Sequence, residues 1–244
     1  MEVAFCTYVS DEYYYSFGCD KLIASAKYFY PDIPFIVFGT KDIKEFGLPV
    51  ESLHPFIMDK VKRDYDTVVY FDADSIITGK LDELFNAIEL HDVVCVRNNN
   101  DYDRAGASDP IIQPGREINT YVNAGLVATD RQEFISIWME ENKLFAQLLP
   151  FGSQSVLNSI LDKFTWTIVD HIDSRVHYGV SCLSGKESHW ESWKEINVED
   201  GELYLLNKKI KVLHHAGGFS PDKLGLYMFS DEARERLTEI IYSK

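Results

Sequence analysis

A short apolar run ends in two carboxylates. Val68, Val69, Tyr70 and Phe71 are followed by Asp72, Ala73 and Asp74. A β-branched and aromatic run of this kind suits a buried strand, and in open α/β sheets ligands collect beyond the carboxyl ends of the strands. Two acids one residue apart repel unless positive charge sits between them. Hard divalent cations take oxygen ligands, so a D-x-D turn can present both groups to one ion. Read by itself, the same turn is a loop with an Asp cap. Two chemistries use such a pair. In one, the first Asp is a phosphoryl nucleophile and the second its general acid, in a D-x-D-x-[TV] pattern. Ser75 and Ile76 match that pattern only in part, and two strand signals already precede the pair. No later pair of acids completes a magnesium site for it. In the other chemistry, the pair holds a metal that bridges the diphosphate of an activated sugar.

The remaining polar clusters favour the second chemistry. Lys211, Val212 and Leu213 run into His214, His215, Ala216, Gly217 and Gly218. A histidine in a core is usually structural, but this one stands at a strand end beside glycines that let a ligand approach the backbone. An imidazole added to two carboxylates suits Mn²⁺ better than Mg²⁺, which prefers an all-oxygen shell. Tyr121 to Leu126 and Gly152 to Asn158 place small and amide-bearing residues at element boundaries, a suitable lining for a sugar.

These groups need a scaffold, and the chain supplies alternating strands and helices. Val3 to Val9 reads as a strand. A helix follows over Asp11 to Tyr30, capped by Ser10 or Asp11 and stopped by Pro31. Strands are expected over Ile33–Phe38, Thr67–Phe71, Asp92–Val96, Asn123–Ala128, Thr165–Val169 and Lys211–His214. Helices are expected over Leu81–Leu90, Gln132–Ala146, Ser153–Phe164 and Ser230–Tyr242, the last capped by Ser230. Continuous apolar strands separated by helices predict an α/β fold with a Rossmann-like, mostly parallel central sheet covered on both faces. Asn98 to Gln113 is a long polar loop, and the acid-rich stretch with Trp190 and Trp193 reads as a surface loop or a binding rim. No linker divides the chain, so residues 1–244 are expected to form a single domain.

Composition narrows the partners. The 244 residues carry 24 Lys and Arg against 39 Asp and Glu, a net charge of −15. That balance argues against nucleic acid, which needs a basic face, and against a polybasic membrane patch. It also poses a problem: so acidic a chain needs a local device to hold an anion. The first residues lack the basic region of a signal peptide, and no apolar run is long enough to span a membrane. Cys6, Cys19, Cys95 and Cys182 are scattered, which predicts free thiols, a reducing compartment and a cytoplasmic protein.

In this order the motifs resemble glycosyltransferase family 8, the glycogenin-like and galactosyltransferase-like enzymes with a GT-A fold. The resemblance runs from residue 3 to about residue 218. It implies a uridine-binding start at Thr7, Ser10, Asp11 and Tyr13. It makes Asp72 and Asp74 metal ligands, with Ala73 between them at the donor. Asn123, Ala124 and Gly125 are similar to the N-[SA]-G segment that touches the donor sugar. Gln154, Leu157 and Asn158 match D-Q-x-x-L-N, with Gln154 expected at the anomeric carbon. His214 and Gly217 match H-x-x-G-x-x-K-P-W, the histidine as third metal ligand and the glycine at the diphosphate. The implied reaction transfers a sugar from a UDP-sugar to a carbohydrate, glycan or glycosylated acceptor, with retention and with Mn²⁺ or Mg²⁺.

The pattern is broken in places. Ser153 stands for the Asp of D-Q, and Ser220 and Asp222 stand for the Lys and Trp of the last motif. Lys223 is a nearby substitute. For the basic residue expected upstream of D-x-D the candidates are Lys60, Lys62 and Arg63. Two other readings stay open. One is a degenerate GT-A-fold protein that binds carbohydrate or nucleotide. The other is a sugar nucleotidyltransferase, against which Ser10 to Tyr13 lack the Gly-rich basic phosphate loop.

Overall fold

The computed structural model describes residues 2–14, 18–97, 121–169, 196–205, 208–214 and 229–243. In chain order the strands are β1 (Val3–Tyr8), β2 (Phe35–Phe38), β3 (Thr67–Phe71), β4 (Ser75–Ile77), β5 (Val93–Arg97), β6 (Val122–Thr129), β7 (Trp166–Ile168), β8 (Asn197–Glu199), β9 (Glu202–Leu205), β10 (Lys208–Ile210) and β11 (Val212–His214). The helices are α1 (Cys19–Phe29), α2 (Thr40–Phe46), α3 (His54–Lys62), α4 (Asp82–Leu90), α5 (Gln132–Phe145), α6 (Ser153–Ile160) and α7 (Asp231–Tyr242). They fall into two compact units. The first takes Met1–Ser10, Pro34–Asp72 and Asp82–Asp170; the second takes Asp11–Ile33, Ala73–Leu81 and His171–Lys244.

The first unit is built on a six-stranded sheet of order β2-β1-β3-β6-β5-β7. The pairs β1/β2, β1/β3 and β5/β7 are parallel. The expectation of a mostly parallel sheet therefore holds, with one exception: β6 runs antiparallel to both β3 and β5. This reversal matters for the site. Phe71 stands opposite Leu126, so the start of β6 lies against the end of β3, and the Asp72 amide donates to the Gly125 carbonyl at 2.8 Å. The β5/β6 register jumps from Cys95↔Val127 to Val96↔Asn123. Ala124, Gly125 and Leu126 thereby have no partner on β5. Val68 to Phe71 are buried, and α3 and α5 cover the sheet with Ile57, Met58, Phe134 and Trp138 in the core.

The second unit has its own core of Ile76, Leu203, Leu213, Phe229 and Leu237. Strand β4 pairs with β11 antiparallel, with Ser75 opposite His214. Strands β8, β9 and β10 form a separate antiparallel sheet. The Ser25 hydroxyl on α1 accepts from the Ile77 amide at 3.0 Å, tying helix to strand. Ser230 caps α7 by accepting from the Ala233 amide at 3.2 Å, as its position predicts.

Several boundaries differ from expectation. Asp11–Tyr13 is a separate 3₁₀ turn, and α1 begins only after Gly18, whose φ of 87° lies in the left-handed region. The helix read over Asp11 to Tyr30 is therefore shorter, and neither Ser10 nor Asp11 caps α1. The strand over Lys211–His214 exists but belongs to a two-stranded sheet with β4, which no apolar run announced. Helices α2 and α3 and the sheet β8–β10 were also not anticipated. Cys6, Cys19 and Cys95 are buried. Burial raises the Cys6 thiol, and burial with Asp20 pushes Cys19 up to about 12. Cys182, the Asn98–Gln113 loop and the stretch with Trp190 and Trp193 lie outside the described residues. No helix among the described residues is long and apolar enough to cross a membrane.

Candidate functional site

In the first unit, Asp72 follows directly on the buried strand β3. Its Oδ1 accepts from the Tyr70 hydroxyl at 2.8 Å, two residues back and on the same face of the strand. Burial first, and then the Asp72 carboxylate, push the Tyr70 phenol well above its ordinary value. Tyr70 is therefore a hydrogen-bond donor at neutral pH. His54, the first residue of α3, places Nε2 at 3.5 Å from the same Oδ1. Its ring lies among Tyr8, Tyr70 and Trp138, with centroids at 5.5, 4.9 and 6.1 Å.

His54 adds a residue to the candidates that the sequence offers. Lys60, Lys62 and Arg63 were the candidates for a basic residue upstream of D-x-D. Lys60 instead pairs with Glu45 and lies over the Phe46 ring, Lys62 donates to the Tyr65 carbonyl, and Arg63 pairs with Asp59 at 2.6 Å. Among the described residues, His54 is a basic side chain that faces Asp72. No motif marks it; a histidine followed by Pro55 at a helix start is the only trace in the sequence.

The N-A-G segment and α6 form one hydrogen-bonded assembly. Gln154 Oε1 accepts from Asn123 Nδ2 at 3.0 Å and from the Ala124 amide at 3.1 Å. Asn123 Oδ1 accepts from the Gly125 amide at 2.6 Å. Asn158, one turn further along α6, accepts from the Val122 amide at 2.9 Å and donates to the Val122 carbonyl at 2.9 Å. The side chain of Gln154 thus reaches β6 and does not close a local helix-start bond. Its carbonyl oxygen is engaged, which leaves the amide N–H groups as what it can offer a ligand. A cavity of about 540 Å³ opens beside it, lined by Pro49, Ser52, Leu149, Pro150, Phe151 and Gly152 among others, none of them charged.

Ser153 explains itself. It is fully buried, its hydroxyl accepts from Asn142 Nδ2 at 2.8 Å, and its carbonyl accepts from Trp138 Nε1 at 3.1 Å. The serine that replaces the expected Asp is thus a core contact between α5 and α6.

In the second unit, His214 ends β11 with Nε2 at 3.0 Å from Asp74 Oδ1, both side chains largely buried. Asp72 and Asp74 are joined through a single residue, Ala73. Asp74 and His214 offer a carboxylate and an imidazole, and Asp72 is the other acid of the D-x-D turn. That donor set fits a divalent ion that accepts both oxygen and nitrogen.

The residues expected from the sequence to meet a uridine are less uniform. Thr7 is fully buried on β1, and among the described residues neither its Oγ1 nor Ser10 Oγ has a hydrogen-bond partner. Tyr13, in the second unit, is 48% exposed. Gly217, Ser220 and Lys223 lie outside the described residues.

No family model matches the chain, and no curated protein matches it. Solved structures do. The fold is similar to that of the bifunctional glycosyltransferase WbbM, with a TM-score of 0.59 and 13% identity over 99% of this chain and 50% of that one. It is similar to the glycosyltransferase GlyE of Streptococcus pneumoniae TIGR4, at TM-score 0.59 and 14% identity over 99% of this chain and 61% of the other. It is also similar to the galactosyltransferase LgtC in complex with donor and acceptor sugar analogues, at TM-score 0.57 and 15% identity over 98% and 95%. The chain thus spans half to three-fifths of WbbM and GlyE and nearly all of LgtC. It has the GT-A-type α/β fold of these glycosyltransferases.

Proposed function

We propose that residues 1–244 act as a single transferase domain that moves a sugar from a UDP-sugar to a carbohydrate, glycan or glycosylated acceptor. The observation that carries this reading is the Asp72, Asp74 and His214 donor set on a fold shared with three glycosyltransferases. Asp72, Asp74 and His214 would hold a divalent cation, and the imidazole makes Mn²⁺ a better match than Mg²⁺. Such an ion supplies positive charge that neutralises a departing diphosphate.

The chain's own residues do the rest. Thr7, Ser10 and Tyr13 meet the nucleoside; the buried hydroxyls of Thr7 and Ser10 bring unpaired hydrogen-bonding capacity to it. Asn123, Ala124 and Gly125 line the donor sugar, with Gly217 at the diphosphate. Gln154 is the catalytic side chain. An amide is a poor nucleophile, so its role is to orient the sugar and stabilise charge near the ring through its N–H groups. A double displacement would need a carboxylate there, and Ser153 is buried against Asn142. We therefore assign a front-face reaction with retention. The bond from the anomeric carbon to the phosphate oxygen breaks, the acceptor oxygen bonds to that carbon, and its proton passes to the departing phosphate. The scattered cysteines, with no paired spacing, suit a reducing compartment, and a cytoplasmic location is part of this reading.

The reading is tested by assaying release of UDP from a panel of UDP-sugars with and without Mn²⁺, for the native chain and Asp74→Asn. Metal-dependent UDP release that the variant loses is the expected result. Undiminished release by the variant contradicts the metal assignment.

A further inference from the structure

Tyr70 poses a problem that the fold does not explain. It is 1% exposed in the middle of the sheet, where a phenylalanine would fill the same space beside Tyr8 and His54. A hydroxyl brought into so apolar a place needs a partner, and the partner here is Asp72 Oδ1 at 2.8 Å. Asp72 does not need that bond to be folded: its side chain is 29% exposed, and its backbone is already held by Gly125. The bond fixes how the carboxylate is turned. His54 addresses the same oxygen from α3, at 3.5 Å. Its Nδ1 is buried with no hydrogen-bond partner among the described residues, so the ring is oriented by aromatic packing and by Asp72.

We propose that Tyr70 and His54 are positioning residues that hold the Asp72 carboxylate in the orientation that takes a divalent cation. The inference rests on the metal assignment above and adds two residues to it. Side chains that hydrogen-bond a metal ligand set its direction before the ion arrives, and losing one weakens metal binding about 10–100-fold. The arrangement also fits the backbone. Tyr70 and Asp72 share a face because they are two apart on a strand, so a rigid, fully buried element delivers the orienting group. His54 comes from a second element, which fixes the rotation of the carboxylate from another direction.

The test is direct Mn²⁺ binding to the intact chain without nucleotide, read from the electron paramagnetic resonance of the free ion. Tyr70→Phe should weaken binding about 10-fold while the thermal midpoint stays close to that of the native chain. His54→Ala should weaken it in the same direction, and His54→Gln, which keeps a donor, should recover part of the loss. In an Asp72→Asn background, Tyr70→Phe should have no further effect, because the two act through one carboxylate. Equal Mn²⁺ affinity in Tyr70→Phe, with a strong loss in Asp72→Asn, overturns the positioning role and leaves the metal site standing. A Tyr70→Phe loss of the same size in both backgrounds also overturns it. Unchanged affinity in Asp72→Asn removes the metal site and the inference together.

Discussion

Asp72 and Asp74 are two residues apart, yet the molecule holds them by different means. Asp72 ends a buried strand of a six-stranded sheet. A backbone bond to Gly125, a phenol and an imidazole surround it, and all belong to the first unit. Asp74 lies in the second unit, where a two-stranded ladder sets Ser75 opposite His214 and brings His214 Nε2 to 3.0 Å of its carboxylate. One acid meets a phenol and an imidazole carried by a buried strand and a helix start; the other meets a single strand-end imidazole. The difference teaches why the D-x-D motif by itself is weak. Two carboxylates become a site only when each has a scaffold that chooses its direction.

The largest expected effects break that pairing outright. Asp72→Asn and Asp74→Asn should each lower Mn²⁺ affinity by about 100-fold or more, beyond the losses typical of supporting residues. A loss in only one of them would mean that the two acids do not share an ion. Next comes Gln154→Ala, which should slow sugar transfer about 100-fold while donor affinity is largely kept. A loss confined to donor affinity moves Gln154 out of the catalytic role. His214→Ala should weaken Mn²⁺ binding by about 10–100-fold, and unchanged UDP affinity in the presence of Mn²⁺ would count against it.

Smaller effects probe the supports. Asn158→Leu removes both bonds to Val122 and leaves buried backbone groups unpaired, which should cost about 2 kcal/mol in urea unfolding. A neutral result would show that α6 does not anchor the start of β6. Arg63→Ala breaks only an exposed pair with Asp59 and should change stability by less than about 0.5 kcal/mol.

How much of this is written in the sequence depends on the kind of signal. The D-x-D turn, the amide at position 154 and the capped last helix were legible, because each joins a residue type to a clear element boundary. The direction of β6 was not. A continuous apolar run reads the same whichever way it pairs, and only the register shows that reversing it puts Asn123 to Gly125 beside Asp72. His54 was invisible because its role comes from ring packing with residues far along the chain. The β8–β9 hairpin did carry a signal. Asp200 and Gly201, at φ 51° and 76°, form the Asp-Gly turn that favours a tight hairpin, inside a stretch too polar to read as strands. Ser153 was legible as a departure, but its burial against Asn142 was not.

The acidity of the chain bears directly on how it would hold an anion. A net charge of −15 opposes an anionic donor unless a cation inverts the sign of the site. The most direct measurement is UDP binding to the native chain, followed calorimetrically with Mn²⁺ and then with a chelator. UDP is expected to bind with Mn²⁺ and to be lost on chelation. Equal affinity for UDP with and without a divalent ion would contradict it.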